Sequence, residues 1–287
     1  MRLLILLILL PFIAQGQIVR THPYYKPFAA SGCTPDADAQ KFIDSAGITD
    51  QTQKDAICTL VRELKDSSLW SSMSAIYPFV GGTASTHKWN LKDPRDADAA
   101  FRLTFSGTWS HTSSGADPNG STAYANTYAN PTSLFANNFL HISYYSTENT
   151  SGATLKEDFG ALSTSNEVAI LIKYLDVFYT AVSFNAGAGS AANTNSQGYY
   201  VANRRSDNAA NIEGYKNGTR LINVTETAAR NNNNLYIGAR NASGTADRFS
   251  DRNVAFATIG TALSQDQARA LNTIVEKFND ALGRGVQ

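Results

Sequence analysis

The histidines and the acidic residues are the side chains that would first suggest catalysis. The four histidines stand far apart in the sequence, at His22, His87, His111 and His141, and no HExxH, nucleophile-elbow or CxxC pattern is present. Glu157 and Asp158 are adjacent in LKEDFG, but neighbouring residues of a strand face opposite sides, and a retaining glycosidase needs two carboxyls about 5 Å apart. We therefore interpret this pair as ordinary polar residues of the surface and predict no enzymatic activity.

The stretch GTWSHTSSGADPNG is the strongest candidate for ligand binding. Trp109 would stack on a sugar ring, while His111 and Asp117 would hydrogen-bond the sugar hydroxyls. Tyr145 in HISYY and Arg204 in ANRR would add contacts. The alternative is that Trp109 is a core residue and that Asp117 begins a turn with the proline that follows it.

Two other segments have residue types that could bind an ion or a phosphate. The turn DPRDADA contains Asp93, Asp96 and Asp98, whose carboxylate oxygens suit calcium, but it lacks the full loop pattern and is more simply a solvated acidic turn. The glycines of SFNAGAGSAAN lack the lysine and the helix of a phosphate loop and indicate a turn. No cofactor and no metal are predicted.

The charge balance excludes a broad class of partners. Lys plus Arg and Asp plus Glu number 24 each, so the formal net charge is zero, and no basic field is available to attract nucleic acid. Charged residues make up 17% of the chain. A polar but uncharged surface of this kind is common among extracellular and virion β proteins.

The N-terminus has the pattern of an export signal. Arg2 precedes the apolar run Leu3–Leu10, and small residues follow a proline, so residues 1–16 are predicted to be removed after Gly16, leaving Gln17 first. The apolar run is short for a membrane span. The alternatives are an uncleaved anchor or a buried strand. The expected location is extracellular, exported or virion-associated, with no stable membrane span after cleavage.

Cys33 and Cys58 are the two cysteines of the chain. Export would permit a disulfide between them, which would join the N-terminal loop to the following helix. The alternative is two buried thiols. A pair of cysteines without a histidine at ligand spacing does not form a zinc site.

Helical patterns are confined to the two ends of the chain. Residues 17–75 begin extended and then predict two helices, the first capped by Thr34 and ended by Gly47. Residues 264–287 predict a C-terminal helix, in which Ser264 and Gln267 form a capping box. Its apolar face should pack on the body of the protein near the N-terminal helices.

Residues 76–263 consist of short stretches rich in aromatic and β-branched residues, separated by Gly, Asn, Ser, Pro or Thr. In LHISYYS, apolar Leu140 and Ile142 alternate with His141 and Ser143. No helix-length pattern lies between these stretches, which disfavours a parallel α/β sheet. The segment therefore predicts a mainly β fold, an antiparallel jelly-roll sandwich, flanked by the N-terminal helical segment and the C-terminal helix.

The stretch 214–241, GYKNGTRLINVTETAARNNNNLYIGARN, contains the strongest turn signal. Asn217-Gly218 predicts a type I′ hairpin, because both central residues of that turn need positive φ. A ribbon ending in Asn-Gly, a polar crossing and then LYIGARN resembles the late strands of laminin-G-like, concanavalin A-like jelly rolls. In that family, the ligand-facing strands hold a bound partner's side chain or sugar against one sheet or at its rim.

Two further stretches, residues 76–127 and 249–284, resemble virion or tail-associated structural proteins encoded by phages and by Bacteroidetes-type bacteria. The resemblance covers most of the chain after about residue 38. It implies a non-enzymatic structural module, in a virion or outside the cell, that assembles with itself or with other virion or surface proteins. The alternative function is a lectin-like binder of host or cell-surface glycan.

Overall fold

The computed structural model describes residues 36–137, 139–164, 166–184, 189–205, 210–226 and 229–287. These residues belong to the unit Cys33–Gln287. The signal-like segment and Cys33 lie outside the described residues, so signal cleavage and the Cys33–Cys58 disulfide stay predictions. The predicted mainly β antiparallel sandwich with helices at both ends of the chain is confirmed.

Among the described residues there are five α-helices and seventeen strands. The helices are α1 (Ala37–Ala46), α2 (Gln51–Asp66), α3 (Ala84–His87), α4 (Pro131–Leu134) and α5 (Gln265–Ala281). The strands are β1 (Met73–Tyr77), β2 (Thr104–Ser106), β3 (Trp109–Thr112), β4 (Gly115–Pro118), β5 (Tyr124–Asn126), β6 (Leu140–Ser146), β7 (Phe159–Ser163), β8 (Asn166–Tyr174), β9 (Val177–Phe184), β10 (Gly189–Ala192), β11 (Gly198–Arg204), β12 (Ala210–Lys216), β13 (Thr219–Glu226), β14 (Tyr236–Ile237), β15 (Arg240–Ala242), β16 (Thr245–Asp247) and β17 (Phe256–Thr261).

Two large sheets face each other. The six-stranded sheet has the order β1-β17-β6-β11-β12-β13, and every neighbouring pair in it is antiparallel. The nine-stranded sheet has the order β10-β9-β8-β7-β14-β5-β2, with β15 beside β7 and β16 beside β15. The pairing of β15 with β7 is parallel. A separate hairpin is formed by β3 and β4.

Two apolar cores lie on opposite faces of the six-stranded sheet. The first fills the space between the sheets and includes Ile142 of β6, Ile170 of β8 and Phe178 of β9. The second lies between the outer face of the six-stranded sheet and the helices, where Leu60 of α2 and Phe278 of α5 join it. The C-terminal helix therefore packs beside the N-terminal helices, as its sequence pattern predicts.

The helical layer explains why the alternating pattern of β6 does not produce an exposed polar face. All seven residues of β6 are buried, including His141 and Ser143. The Ser143 hydroxyl is hydrogen-bonded to that of Thr258 at 2.6 Å, and His141 Nε2 lies 3.1 Å from the same oxygen. The polar side of the strand is thus a hydrogen-bonded layer beneath the helices, because a buried hydroxyl or imidazole needs such partners.

The helix ends follow local sequence signals, with one correction. Asp36 caps α1 by accepting a hydrogen bond from the backbone N–H of Asp38 at 2.9 Å, so the cap predicted at Thr34 is wrong by two residues. Gly47 ends the helix with φ 65°, as predicted. The capping box of Ser264 and Gln267 on α5 is confirmed. No helix among the described residues is long and apolar enough to cross a membrane.

The Asn-Gly hairpin forms as predicted. Asn217 and Gly218 have φ of 51° and 71° and join β12 to β13. The asparagines of the polar crossing that follows support the fold: the side-chain amide of Asn231 donates to the carbonyl oxygens of Ala161 at 2.9 Å and Asn166 at 2.6 Å. This crossing is therefore held against the nine-stranded sheet by its own side chains.

Replacing Gly218 by Val tests the hairpin. A β-branched residue is poorly tolerated at positive φ, and a Cβ at this position would lie 3.4 Å from the Cβ of Asn272 on α5. We expect a loss on the order of 1–3 kcal/mol in the free energy of unfolding measured in urea. Thr219→Val, one residue further on in the strand, should change it little. Equal stability of the Gly218→Val protein and the wild type would contradict the turn.

Candidate functional site

Trp109 and His111 lie together on the β3–β4 hairpin, but within a packed aromatic cluster. The Trp109 indole N–H donates to the Ser106 carbonyl oxygen at 3.0 Å. Its ring is stacked on His111 at 25° between ring planes and meets Phe105 edge-on, and it also packs closely against Gly238. Trp109 is partly buried against the core between the sheets, so much of its ring is already in contact with protein.

His111 is tied to a second, buried histidine. The Nδ1 atoms of His87 and His111 are 3.0 Å apart, and His87 Nε2 accepts a hydrogen bond from the Gly82 N–H at 3.2 Å. An imidazole that accepts at Nε2 carries its proton on Nδ1, so His87 donates to His111. Burial, with the charges of His111 and Arg284, lowers the pKa of His87 to about 3. The pair therefore stays neutral and serves as a packed hydrogen-bonded unit.

The other three nominated residues do not converge on Trp109. Asp117 pairs across the hairpin with Ser110 and lies on the face opposite Trp109, because cross-strand partners share a face; it accepts from the Asn253 amide at 2.8 Å. Tyr145 and Arg204 are fully buried. Tyr145 donates to Glu276 at 2.6 Å, and Arg204 donates to the Val182 carbonyl oxygen at 3.0 Å. Their assignment as ligand contacts does not agree with this burial.

The acidic pair that the sequence placed on the surface is buried. Glu157 and Asp158 both have no exposed area, so that interpretation is wrong. Asp158 accepts hydrogen bonds from the Ile172 N–H at 2.7 Å, from the Ser250 hydroxyl at 2.6 Å and from the Arg252 guanidinium at 3.0 Å. Its charge is thus fully paired, as a buried carboxylate requires.

Glu157 faces the other way, toward the outer side of the nine-stranded sheet. Gly160 makes room for it, since a Cβ there would clash with Glu157 Oε1. Within the described residues neither carboxylate oxygen has a hydrogen-bond partner. The guanidinium groups of Arg248 and Arg240 lie 3.6 and 3.9 Å from Oε2. The Glu157 carboxyl therefore meets its arginine neighbours only at distances longer than a hydrogen bond.

A second acid, Glu167 of β8, faces the same two arginines. Its Oε1 lies 3.3 Å from Arg240 Nη1 and 3.5 Å from Arg248 Nη1. Arg240 is also bonded through Nε and Nη2 to Asp247, at 2.8 and 2.5 Å. Burial raises the pKa of Glu167 and, with the nearby Glu167 charge, raises the pKa of Glu157 well above its ordinary value, although both arginines oppose the rise.

These charges border a groove of about 230 Å³ on the outer face of the nine-stranded sheet. Its lining residues are Leu155, Glu167, Leu171, Tyr174, Tyr179, Thr180, Ala181 and Arg248. Leu171 and Ala181 form a small apolar cluster with Ala169, against which Leu155 and Tyr179 pack. The two tyrosines are partly exposed, with ring centroids 6.4 Å apart. We refer to this feature as the tyrosine groove.

Several polar groups of the tyrosine groove have unused hydrogen-bonding capacity. Among the described residues, the side chain of Arg248 makes no hydrogen bond, only the two ion contacts beyond 3.4 Å. The phenol oxygens of Tyr174 and Tyr179 and Oε2 of Glu167 also have no hydrogen-bond partner there. A guanidinium, a carboxylate oxygen and two phenols thus surround an apolar floor, which is a typical arrangement for a small polar ligand.

A larger cavity of about 550 Å³ lies near the β7–β8 turn. Its lining residues are Thr132, Ala136, Asn137, Ser163, Thr164, Asn166, Ala229, Arg230 and Asn232. None of these lining residues is aromatic, and Arg230 is bonded to the carbonyl oxygen of Thr132 at 3.2 Å and to that of Phe135. The described part of the lining therefore offers no stacking surface and no free charge.

The carboxylates of the acidic turn form ion pairs, and the described cysteine is buried. The carboxylates of the turn are paired with bases: Asp93 with Arg95, Asp96 with Lys88 and Arg102, and Asp98 with Arg102. Within the residues that the structure describes, no group of three or more His, Cys, Asp or Glu is placed to hold a metal. Cys58 is buried in α2.

The tyrosine groove was not predicted from the sequence. Glu167, Ala169 and Leu171 follow a period of two along NEVAILIKY. Their position on one face of β8 was therefore predictable. The pairing of Glu167 with Arg240 and Arg248 was not predictable, because the three residues are far apart in sequence and meet through the parallel β15–β7 pairing.

Comparison with known proteins supports the fold. No family model and no curated protein matches the chain. A botulinum neurotoxin type C structure, described with the dependence of cell entry on two ganglioside molecules, is 8% identical, with 73% of this chain and 53% of that chain covered and a TM-score of 0.51. The binding domain of botulinum neurotoxin DC in complex with SialylT is 8% identical over 71% of this chain and 52% of that one, at 0.48.

A third similar structure is domain 4 of a GH43 extracellular arabinanase from Geobacillus stearothermophilus in complex with arabinotriose. It is 15% identical, with 70% of this chain and 98% of that chain covered and a TM-score of 0.44. At such identities, likeness concerns the fold and not the activity.

The buried carboxyl of Glu157 predicts a pH dependence of stability. Because its pKa is raised in the folded protein, the folded state binds this proton more tightly than the unfolded chain. The stability that this tighter proton binding contributes is complete below the ordinary pKa of 4.5. It is lost as the pH rises through the raised pKa of the folded protein. As the pH rises from 4.5 through the raised pKa, the Glu157→Gln protein should therefore lose less stability than the wild type.

Urea unfolding at a series of pH values measures this difference. Glu63→Gln is the control, since Glu63 is a partly exposed residue paired with Lys277 across α2 and α5, and it should follow the wild type. A Glu157→Gln protein with the wild-type pH slope would show that the buried carboxyl does not titrate as described.

Proposed function

We propose that the protein is a lectin-like module that binds glycan in the tyrosine groove. The observation that carries this proposal is the pair of partly exposed rings, Tyr174 and Tyr179, beside Glu167 and Arg248. An exposed aromatic next to convergent polar groups is what a sugar site needs, because the ring covers the apolar face of the sugar and the polar groups bond its hydroxyls. This function was the alternative hypothesis from the sequence.

The groove has the size and the donors for one sugar ring. Its volume of about 230 Å³ is below the roughly 300–1,000 Å³ of sites that enclose drug-sized ligands. Tyr179 and the apolar floor of Leu171 and Ala181 contact the ring face. Arg248 donates to a hydroxyl oxygen, and Glu167 accepts from a hydroxyl proton.

The fold supports the same proposal. The botulinum neurotoxin type C structure, similar in fold at a TM-score of 0.51, is described with ganglioside interaction, so a related sandwich serves glycan recognition in another protein. Recognition of a cell-surface glycan fits the export-like N-terminus, and we propose an extracellular location.

We propose binding without hydrolysis. A general acid must come within hydrogen-bonding distance of the glycosidic oxygen. Glu157 has no exposed area and lies behind Arg248, so its carboxyl does not reach a sugar in the groove. The carboxylate of Asp247, the other acid of this group, is held by Nε and Nη2 of Arg240, so we propose that it does not act as the partner of Glu167.

Tyr179→Ala tests the site. Loss of the stacking ring should weaken glycan binding by about tenfold or more, since one aromatic contributes a large share of a small affinity. Tyr179→Phe keeps the ring and should bind within a few-fold of the wild type. The measurement is a glycan array followed by calorimetry with the best oligosaccharide, with circular dichroism to confirm folding.

Trp109→Ala is the matched control, because it removes the ring favoured by the sequence. It should retain binding but lose on the order of 2–3 kcal/mol of stability, less than a fully buried tryptophan. A folded Tyr179→Ala protein with undiminished glycan binding would rule out the tyrosine groove as the binding site. A wild-type protein that binds no glycan would rule out the proposed function.

A second candidate, assembly into a virion or surface structure, is favoured by one observation. Strand β13 ends the six-stranded sheet, and its outer edge pairs with no strand in the described part of the chain; Leu221 in it is 40% exposed. An open edge of this length can pair with another chain.

Light scattering after size exclusion tests this candidate. It predicts an oligomer of the wild type that Leu221→Lys converts to monomer, since an edge lysine opposes strand pairing. Asn223→Lys, on the same edge strand, should also convert the oligomer to monomer. A wild type that is monomeric at all concentrations would contradict assembly of the protein alone.

A further inference from the structure

The charges around the tyrosine groove bear on the class of sugar that it accepts. We propose that the groove binds neutral sugar rings and discriminates against rings that carry a carboxylate. This inference rests on the proposed function and adds the substrate class.

The ionisable groups behind the groove include more carboxyls than guanidinium groups. The carboxyls of Glu157, Glu167 and Asp247 share the two guanidinium groups of Arg240 and Arg248. Arg240 is occupied, with Nε and Nη2 on Asp247 and Nη1 on Glu167. Among the residues that the structure describes around the groove, a ligand therefore meets one accessible cation, Arg248, beside Glu167.

Lysines near the groove do not change this balance. Lys173, further along β8, donates to the Thr194 carbonyl oxygen at 2.8 Å and lies 3.3 Å from Asp176. Lys156 is paired with Asp251. Neither ammonium group is free to neutralise an acidic ligand.

A ligand carboxylate would compete with the protein for Arg248. The guanidinium lies 3.5 Å from the buried Glu167, and its departure toward an acidic sugar would leave Glu167 with Arg240 alone, at 3.3 Å. Separating a buried charge from its partner is costly. The ligand carboxylate would also face Glu167 at the groove wall, and like charges repel strongly where water is partly excluded.

A neutral sugar avoids both costs. A hydroxyl group can accept from the unused donors of Arg248 and donate to the free oxygen of Glu167 at the same time. Neither ion contact behind the groove has to break. The contact with Glu167 therefore keeps Arg248 at the groove wall as a hydrogen-bond donor and not as an anion receptor.

Matched glycans test the inference. Galactose-terminated oligosaccharides, the same chains after enzymatic sialylation, and glucose- and glucuronate-terminated pairs are compared by array and calorimetry near pH 7.4 at about 50 mM salt. We expect each acidic form to bind at least about tenfold more weakly than its neutral partner.

Two further measurements separate charge from size. Glu167→Gln should narrow the gap between glucose and glucuronate ends, which differ by one carboxylate, while Glu63→Gln should leave it unchanged. If Glu167→Gln does not fold, raising the salt to about 500 mM with wild-type protein should narrow the same gap, because screening weakens the repulsion.

The possible failures are distinguishable. Equal or tighter binding of the acidic forms would overturn the inference and leave the lectin-like function standing. A gap that neither Glu167→Gln nor salt reduces would overturn the charge argument. Binding of neither form would overturn the proposed function and this inference together.

Discussion

The buried ion pair of Asp158 and Arg252 fixes which side chains before β7 point toward the space between the sheets and which point outward. Both side chains have no exposed area and meet at 3.0 Å. Arg252 also donates to the Lys173 carbonyl oxygen at 2.7 Å, and its own carbonyl accepts from Tyr144 at 2.7 Å. The pair thus joins β6, β8 and the segment before β17. A buried charge demands this degree of pairing, because a lone one is strongly destabilising.

The groove on the other side of the sheet follows from that pairing. Since Asp158 points inward, the alternation of an extended chain turns Glu157 outward, where Gly160 leaves space for its carboxylate. The backbone carbonyl of Arg248 accepts from the Glu157 N–H at 2.8 Å, and Arg248 has φ 49°, a conformation that non-glycine residues rarely adopt. The same residue therefore supports Glu157 through its backbone and its side chain, which places a guanidinium at the groove wall.

Local signals made much of the fold predictable. The capping box of α5, the glycine that ends α1 and the Asn-Gly turn each act within a few residues, and the change from helical to strand periodicity near residue 76 was visible in the sequence. The candidate site depends on contacts between distant strands. Tyr145 and Arg204 were expected to contact a ligand. Tyr145 is instead covered by the helices on the outer face of the six-stranded sheet, and Arg204 faces the nine-stranded sheet, where it donates to the Val182 carbonyl oxygen. Glu157 and Asp158 were assigned to the surface because their arginine partners follow about 80 to 95 residues later.

The central claim is that the tyrosine groove, and not the Trp109 hairpin, receives a sugar. The most direct measurement is a crystal structure of the protein with the tightest neutral oligosaccharide from a glycan array. We expect density for a sugar ring against Tyr179, with a hydroxyl between Arg248 and Glu167. A ring stacked on Trp109, or one seated in the 550 Å³ cavity beside Asn166 and Asn232, would contradict it.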